Sequence, residues 1–442
     1  MSTAVANSPR QEARLAALRR SGPTGLLAHC TTFALELRGP LDERALQAGV
    51  DEVVARHEAL RARFPLESGR HWIEPDARVE VRRRLLLDRD PERRWAEAQR
   101  LAVEDTTRPF DVERPPLLRA TLLAAGPDRH LLLLSCDQLV TDAWSMAVLI
   151  RDLVEAADRA ARGLRGDRSR GGAYARSRAE LAAWLASPTG LAAAARLEAG
   201  QGPERRLAVT PAPDASDLQR LGRHDHALPD AVAGALLDRA REHRVPLIAA
   251  MLAALALAAA GWSGDDGPTV RSTFAARETP DEEEAVGWLS NEVLIPLAAP
   301  PGTVEARIRG YARAVFAHLS TQRVPRPPAE AGVAMDGLSA SIVFLPEELT
   351  GEAATDLRVG AATVYPSGVS ICPSGADLEL YAAQRPLVLD RDDRPALLLG
   401  GISQRARVGQ AQLEEAVTRW AAAAERLACL DWRQTPWEDI TR

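Results

Sequence analysis

The sequence predicts an α+β protein built as two lobes. Its 442 residues exceed what one ordinary hydrophobic core accommodates. Helical and strand patterns mix in both halves without the strict alternation of a doubly wound sheet, which points to α+β layers. A stretch at 162–178, rich in Gly, Arg and Ser and poor in apolar residues, separates the halves. We therefore place an N-terminal lobe at 1–165, a linker at 166–178 and a C-terminal lobe at 179–442.

In the first half, a helix is expected at 11–20 and a strand at 31–37. Gly39-Pro40 punctuates the chain before a helix within 41–60, where Leu46, Val50, Val53 and His57 recur at helical spacing. His57, in its last turn, reads as a packing or capping residue. Strands at 71–73 and 79–83, a helix at 91–104 and a strand at 117–124 follow. An apolar strand at 130–135 then runs into a helix with Trp144, Val148, Leu149 and Leu153 on one face, ended by Gly163.

The second half opens with a helix through Trp184 and a Pro-rich passage at 202–214. Strands are expected at 224–227, 269–274, 293–297, 339–344, 378–382 and 395–399. Helices are expected at 231–243, 247–262, 304–319 and 410–430, the last carrying Leu413, Val417, Trp420, Ala424 and Leu427 on one face. Residues 278–284 read as an acidic loop.

A formal net charge of −6 argues against nucleic-acid binding, which calls for a basic surface. All 55 basic residues are Arg, scattered among acids as on a solvated surface. Cys30, Cys136, Cys372 and Cys429 show no CxxC spacing, so a reduced, cytoplasmic compartment is expected and a zinc site is not. No signal peptide is visible at 1–7. The apolar stretch at 247–262 falls short of the ~20 residues a bilayer needs and reads as a buried helix. A monomer without membrane attachment is the expectation.

The most informative stretch runs from Cys136 to Ser145, where the apolar strand meets the helix. Such a junction presents polar groups from two rigid elements. Gln138 donates and accepts hydrogen bonds, so it could orient an amine or hold an oxyanion, but it takes no proton near neutral pH. Asp137 has two readings: a base, if desolvation raises its pKa, or a structural carboxylate bonded to backbone or to an Arg. Strand alternation places it on the opposite face from Gln138. Asp142 suits the N-cap of the helix beginning near Trp144.

Several short motifs occur in order along the chain: Ser8-Pro9-x-Gln11, Gly39-Pro40-Leu41-Asp42, Arg56-His57-Glu58-Ala59-Leu60-Arg61-Ala62-Arg63-Phe64, Arg108-Pro109-Phe110-Asp111 and Pro116-Leu117-Leu118-Arg119. Val286-Gly287-Trp288-Leu289-Ser290-Asn291 and Gln322-x-Val324-Pro325 follow, the latter with Arg323 where Asp is usual. Together they resemble the condensation-domain superfamily of nonribosomal peptide synthetases. Its active-site motif, His-His-x-x-x-Asp-Gly, here reads Asp137-Gln138-x-x-x-Asp142-Ala143.

The resemblance implies two chloramphenicol-acetyltransferase-like lobes in a V-shaped pseudo-dimer with a central tunnel, into which the second motif position, Gln138, would project. It implies acyl or peptidyl carrier proteins as partners. Their phosphopantetheine arms belong to the partner, so no cofactor of this chain is expected. It also implies a salt bridge from Asp142 to Arg61, bracing the turn. Asp137, Asp142 and Ser145 further satisfy the Asp-x-x-x-x-Asp-x-x-Ser pattern of heterocyclization domains. Those domains carry a Thr where Leu345 stands, and a Gln-Thr-Pro-Gln-Val-x-Leu-Asp element of which residues 370–378 keep little.

Ala143, Trp144, Asn291, Leu345 and Ser370 are the expected tunnel or substrate positions. Ala143 adds a methyl group where the family has Gly. Ser370 lies with Ser367 and Cys372 in a small polar cluster near the expected tunnel floor, with a plain loop as its default reading. The function implied is that of a freestanding enzyme joining a carrier-bound acyl or aminoacyl thioester to an amine, hydroxyl or thiol. A docking platform without chemistry and a heterocyclase are the alternatives.

Overall fold

A computed structural model describes residues 3–21, 30–106, 108–166, 171–200, 205–207, 221–260, 268–298, 301–326, 338–345, 357–371, 376–384, 396–405 and 407–441. The N-terminal half comprises β1 (Thr3–Ala6), α1 (Pro9–Ser21), β2 (Cys30–Arg38), α2 (Glu43–Arg56), β3 (Ala62–Arg63), β4 (Arg70–Ile73), β5 (Val81–Leu85), α3 (Pro91–Thr106), β6 (Leu118–Ala124), β7 (Arg129–Asp137) and α4 (Ala143–Ala161). Next come α5 (Ala173–Ala186), α6 (Pro188–Gly200), β8 (Leu221–Ala227), α7 (Asp230–Glu242), α8 (Leu247–Ala259), β9 (Thr269–Phe274), α9 (Pro280–Glu284) and β10 (Asn291–Pro296). The chain closes with α10 (Val304–Leu319), β11 (Ala340–Leu345), β12 (Arg358–Val359), β13 (Ala362–Ile371), β14 (Leu378–Gln384), β15 (Leu397–Gln404), α11 (Gln410–Cys429) and α12 (Glu438–Thr441).

The Leu run of β7 is continuous because its sheet is covered on both faces. Leu132, Leu134 and Cys136 join the core formed with α2 and α4, while Leu131 and Leu133 meet Trp95, Ala98 and Leu101 of α3 on the other side. The two helices on the first face approach closely at Gly49, where an added Cβ would lie 2.9 Å from the Ala157 backbone nitrogen. Gly163, at φ +70°, ends α4 as expected, a conformation glycine adopts without penalty.

Strand order in this sheet is β12-β13-β2-β7-β6-β5. Residues 358–371 therefore complete the N-terminal sheet, pairing β13 antiparallel with β2, so the C-terminal half is not confined to its own lobe. The second sheet, β10-β9-β11-β14-β15-β8, mixes parallel and antiparallel pairs. Helices α7, α8, α10 and α11 share one core cluster with it. Leu413, Val417, Trp420, Ala424 and Leu427 are all buried there. No single helix is long and apolar enough to cross a membrane.

Two further expectations change. The linker at 166–178 is partly helix, since α5 starts at Ala173. The acidic loop contains α9, closed by a capping box between Thr279 and Glu282. Its carboxylates are ion partners across the lobes: Arg176 meets Asp281 at 2.7 Å and Arg151 meets Glu284 at 2.6 Å. Most of the Pro-rich passage at 202–214 lies outside the described residues; within it, Leu207 bridges to Leu338.

Candidate active site

The junction is assembled by α1 from one side and by the C-terminal lobe from the other. Ser8 and Gln11 cap α1 reciprocally: the Gln11 N–H donates to Ser8 Oγ at 3.1 Å and the Ser8 N–H donates to Gln11 Oε1 at 2.8 Å. Gln11 and Arg14, one turn apart, then grip the end of β7. Gln11 Nε2 donates to the Leu139 carbonyl at 2.8 Å. Arg14 donates twice to Asp137, Nη2 to Oδ2 at 2.8 Å and Nε to Oδ1 at 3.3 Å. Asp137 Oδ1 also accepts from the Leu139 N–H at 2.9 Å. Asp137 is thus a buried, ion-paired turn residue.

The strand stops at Asp137, and a 3-10 turn, Gln138–Val140, begins. Alternation therefore does not extend to Gln138, which is buried at the start of that turn. Two buried thiols flank the position. Burial, then the Asp137 charge, pushes the Cys30 thiol up to about 12. Burial likewise pushes Cys136 strongly upward. Neither supplies a thiolate nucleophile at neutral pH.

Asp142 caps α4, accepting from the Ser145 N–H at 2.9 Å, as the sequence suggests. Its ion partner is not Arg61. Arg277, just beyond β9, donates Nη2 to Asp142 Oδ1 at 2.9 Å and Nη1 to Oδ2 at 3.0 Å, a bidentate fork. The Leu289 and Ser290 N–H groups add bonds to Oδ2 at 3.0 and 2.8 Å. Ser145 Oγ accepts from Arg277 Nη2 at 3.0 Å and from the Gly287 N–H at 3.1 Å. Its hydroxyl has two acceptors within reach, Asp142 Oδ1 at 2.7 Å and the Gly287 carbonyl at 2.8 Å. Asp142 and Ser145 are therefore the N-terminal half of an inter-lobe clamp. Ala276 stands at φ +53°, a strained left-handed conformation for a residue with a Cβ, immediately before the Arg277 that closes it.

Arg61 is occupied elsewhere: it donates to the carbonyls of Val54 at 3.0 Å, Ala55 at 3.3 Å and Glu74 at 3.1 Å. Val54 and Ala55 end α2, and their carbonyls lack helical partners, so a nearby guanidinium satisfies them. His57 caps the same helix and bonds Asp152 at 2.9 Å, in keeping with a packing or capping role.

Burial works to raise the pKa of Asp142; the Arg277 charge and the bonds from Arg277 and Ser145 outweigh it and hold the carboxyl below its ordinary value. The folded state then binds this proton less readily than the unfolded one. Its stabilisation is present above the unfolded carboxylate range, about 3.9, and is lost as pH falls through the lower folded value. Urea unfolding at stepped pH should show the stability gap between wild type and Asp142→Asn shrinking below pH ~4.

Of the expected tunnel positions, Ala143 is the half-buried first residue of α4. Trp144 is half-buried, and its Nε1 donates to the Glu283 carbonyl at 2.9 Å, a contact between lobes. Asn291 ties down the neighbouring loop: Nδ2 donates to the Gln322 and Val324 carbonyls, and Oδ1 accepts from the Arg326 N–H at 3.2 Å. Leu345 ends β11 opposite Ala383, and Ser370 pairs with Phe33 in β13, so Ser367 and Ser370 belong to a strand where a loop was the default. Cys372 lies outside the described residues. Arg14 and Arg277 were absent from the sequence reading; Arg14 alone had a signal there, on the same helix face as Gln11 of the opening motif.

Residues 24–325 match the family model for the condensation domain. The chain belongs to the condensation-domain family. Among curated relatives of this condensation domain, phosphinothricin tripeptide synthetase PhsB of Streptomyces viridochromogenes is 30% identical over 351 residues, 73% of this chain and 28% of that protein. Chondramide synthase cmdD of Chondromyces crocatus is 41% identical over 128 residues, 28% of this chain and 3% of that protein. The chain thus spans under a third of these relatives. The first condensation domain of the calcium-dependent antibiotic synthetase, solved with a substrate analogue, superposes with TM-score 0.75 at 21% identity over 98% of both chains. The X-domain from teicoplanin biosynthesis superposes with TM-score 0.75 at 21% identity, over 99% of this chain and 96% of that one. These likenesses establish the two-lobed α+β condensation fold.

Proposed function

We propose that this condensation domain transfers a carrier-bound acyl or aminoacyl group to an amine, and that it does so by positioning, without a protein base at the motif. The phosphopantetheine thioester on an acyl or peptidyl carrier protein is the donor. The amine nitrogen adds to the thioester carbonyl, the C–S bond breaks, the thiol leaves, and the amine proton passes to solvent. Holding the reactants together supplies about 7–11 kcal/mol of barrier reduction. Gln138 donates a hydrogen bond to the developing oxyanion or orients the amine.

The observation that carries this reading is the pairing of Asp137 with Arg14 and of Asp142 with Arg277, which leaves neither motif carboxylate unpaired to act as a base. The same observation favours a second reading, a carrier-docking platform without chemistry. Incubating the protein with loaded carrier proteins and candidate amines, and following the carriers by intact mass, separates the two. Enzyme-dependent loss of the acyl mass, with the amide as product, supports transfer. Carrier binding with no loss across the panel supports docking. A product lighter by one further water identifies a heterocyclase.

A further inference from the structure

A cavity of about 30 Å³ lies where α1, α5 and the loops at 286–291 and 322–326 converge, lined by Arg10, Arg178, Arg323, Trp288, Leu289 and Ser290 among others. The Glu282 carboxylate also lines it. Arg10 Nε and Nη1, Arg178 Nε, Arg323 Nε and Trp288 Nε1 are buried without a hydrogen-bond partner among the described residues. Arg10, Arg323 and Trp288 are themselves only 4%, 9% and 5% exposed.

The charges leave a remainder as well. Arg10 pairs with Glu292 at 3.1 Å and Arg323 with Glu282 at 2.6 Å, while Arg178 has no ion pair among the described residues. One positive charge is left over in a space for about two water-sized atoms, at the ~10–15 Å³ each requires. The two oxygens of one carboxylate meet both requirements, and the large majority of buried donors in native proteins have a hydrogen-bond partner.

We infer that this cavity binds a single carboxylate borne by a small-molecule acceptor. This rests on the acyl-transfer reading and names the acceptor class: an amine that also carries a carboxylate, as a free amino acid does. The site adjoins the junction, because the Leu289 and Ser290 that line it also hold Asp142 through their N–H groups.

The test is direct binding to the full chain, without a carrier protein, by calorimetry and thermal shift at constant ionic strength. Sodium acetate should bind saturably, and acetamide, its neutral isostere, should not. Arg178→Gln should weaken acetate at least 10-fold; Arg178 has no ion pair among the described residues, so the variant leaves no described carboxylate unpaired. Arg10→Gln is a second variant with the same expectation. Glycine binding tighter than acetate supports an acceptor's carboxylate; glycine binding no tighter overturns the acceptor assignment. Equal responses to acetate and acetamide, an unsaturable response, or wild-type affinity in Arg178→Gln overturns the site itself. Since no turnover is measured, failure here is distinct from failure of acyl transfer.

Discussion

Arg277→Ala should destabilise the protein by about 3–5 kcal/mol, the cost typical of removing one partner from a buried ion pair. The Asp142 left behind is 2% exposed and keeps bonds from Ser145, Leu289 and Ser290, but no countercharge. The Leu289 and Ser290 bonds join the start of α4 to the loop at 286–291, so the loss weakens the junction between lobes as well as the helix cap. Asp142→Asn should cost less on the Arg277→Ala background than on wild type, because the two residues form one unit. Urea titration of the four proteins measures this coupling. Arg61→Ala serves as the contrast: it frees carbonyls at the end of α2 and should leave the coupling between Asp142 and Arg277 intact. An Arg61 variant that abolished that coupling would restore the brace the family motif implies.

Gln138→Ala should lower kcat for acyl transfer by about 10²–10³, the range seen when one preorganised donor to a developing oxyanion is removed. KM should change little, because the interaction strengthens only as charge develops on the carbonyl oxygen. Gln138 is 6% exposed, so its amide would act where water competes poorly. Asp137→Asn should behave differently. Its carboxylate is bound to Arg14, so the substitution acts through stability and should depress folding more than the rate per folded molecule.

The regular elements were legible wherever hydrophobic periodicity was strong. The strand Thr269–Phe274 and the helix Val304–Leu319 follow the sequence pattern to the residue. By contrast, β12 and β13 were not legible. Pro366 and Gly368 interrupt the pattern of β13, and the fold absorbs them with a register shift between Pro366 and Ser370. The start of α6 did carry its signal in Ser187-Pro188, with Ser187 Oγ accepting from the Gly190 N–H at 3.2 Å. So did α9, through Thr279 and Glu282.

At the site, the capping role of Asp142 was legible because a cap is local. Its ion partner was not. Arg277 is 135 positions away on another lobe, and no local rule distinguishes it from the many other arginines. Arg61 is the partner that the family motif implies, yet the open end of α2 engages it.

Whether the site works by positioning is tested most directly by single-turnover transfer from one loaded carrier to two acceptor amines of different pKa, measured across pH. Without a protein base, the rate should rise with deprotonation of each amine, and the profile should move when the amine is exchanged. A limb that stays at one pH for both amines and disappears in a motif variant would contradict it, because a titrating protein group would then be carrying the proton.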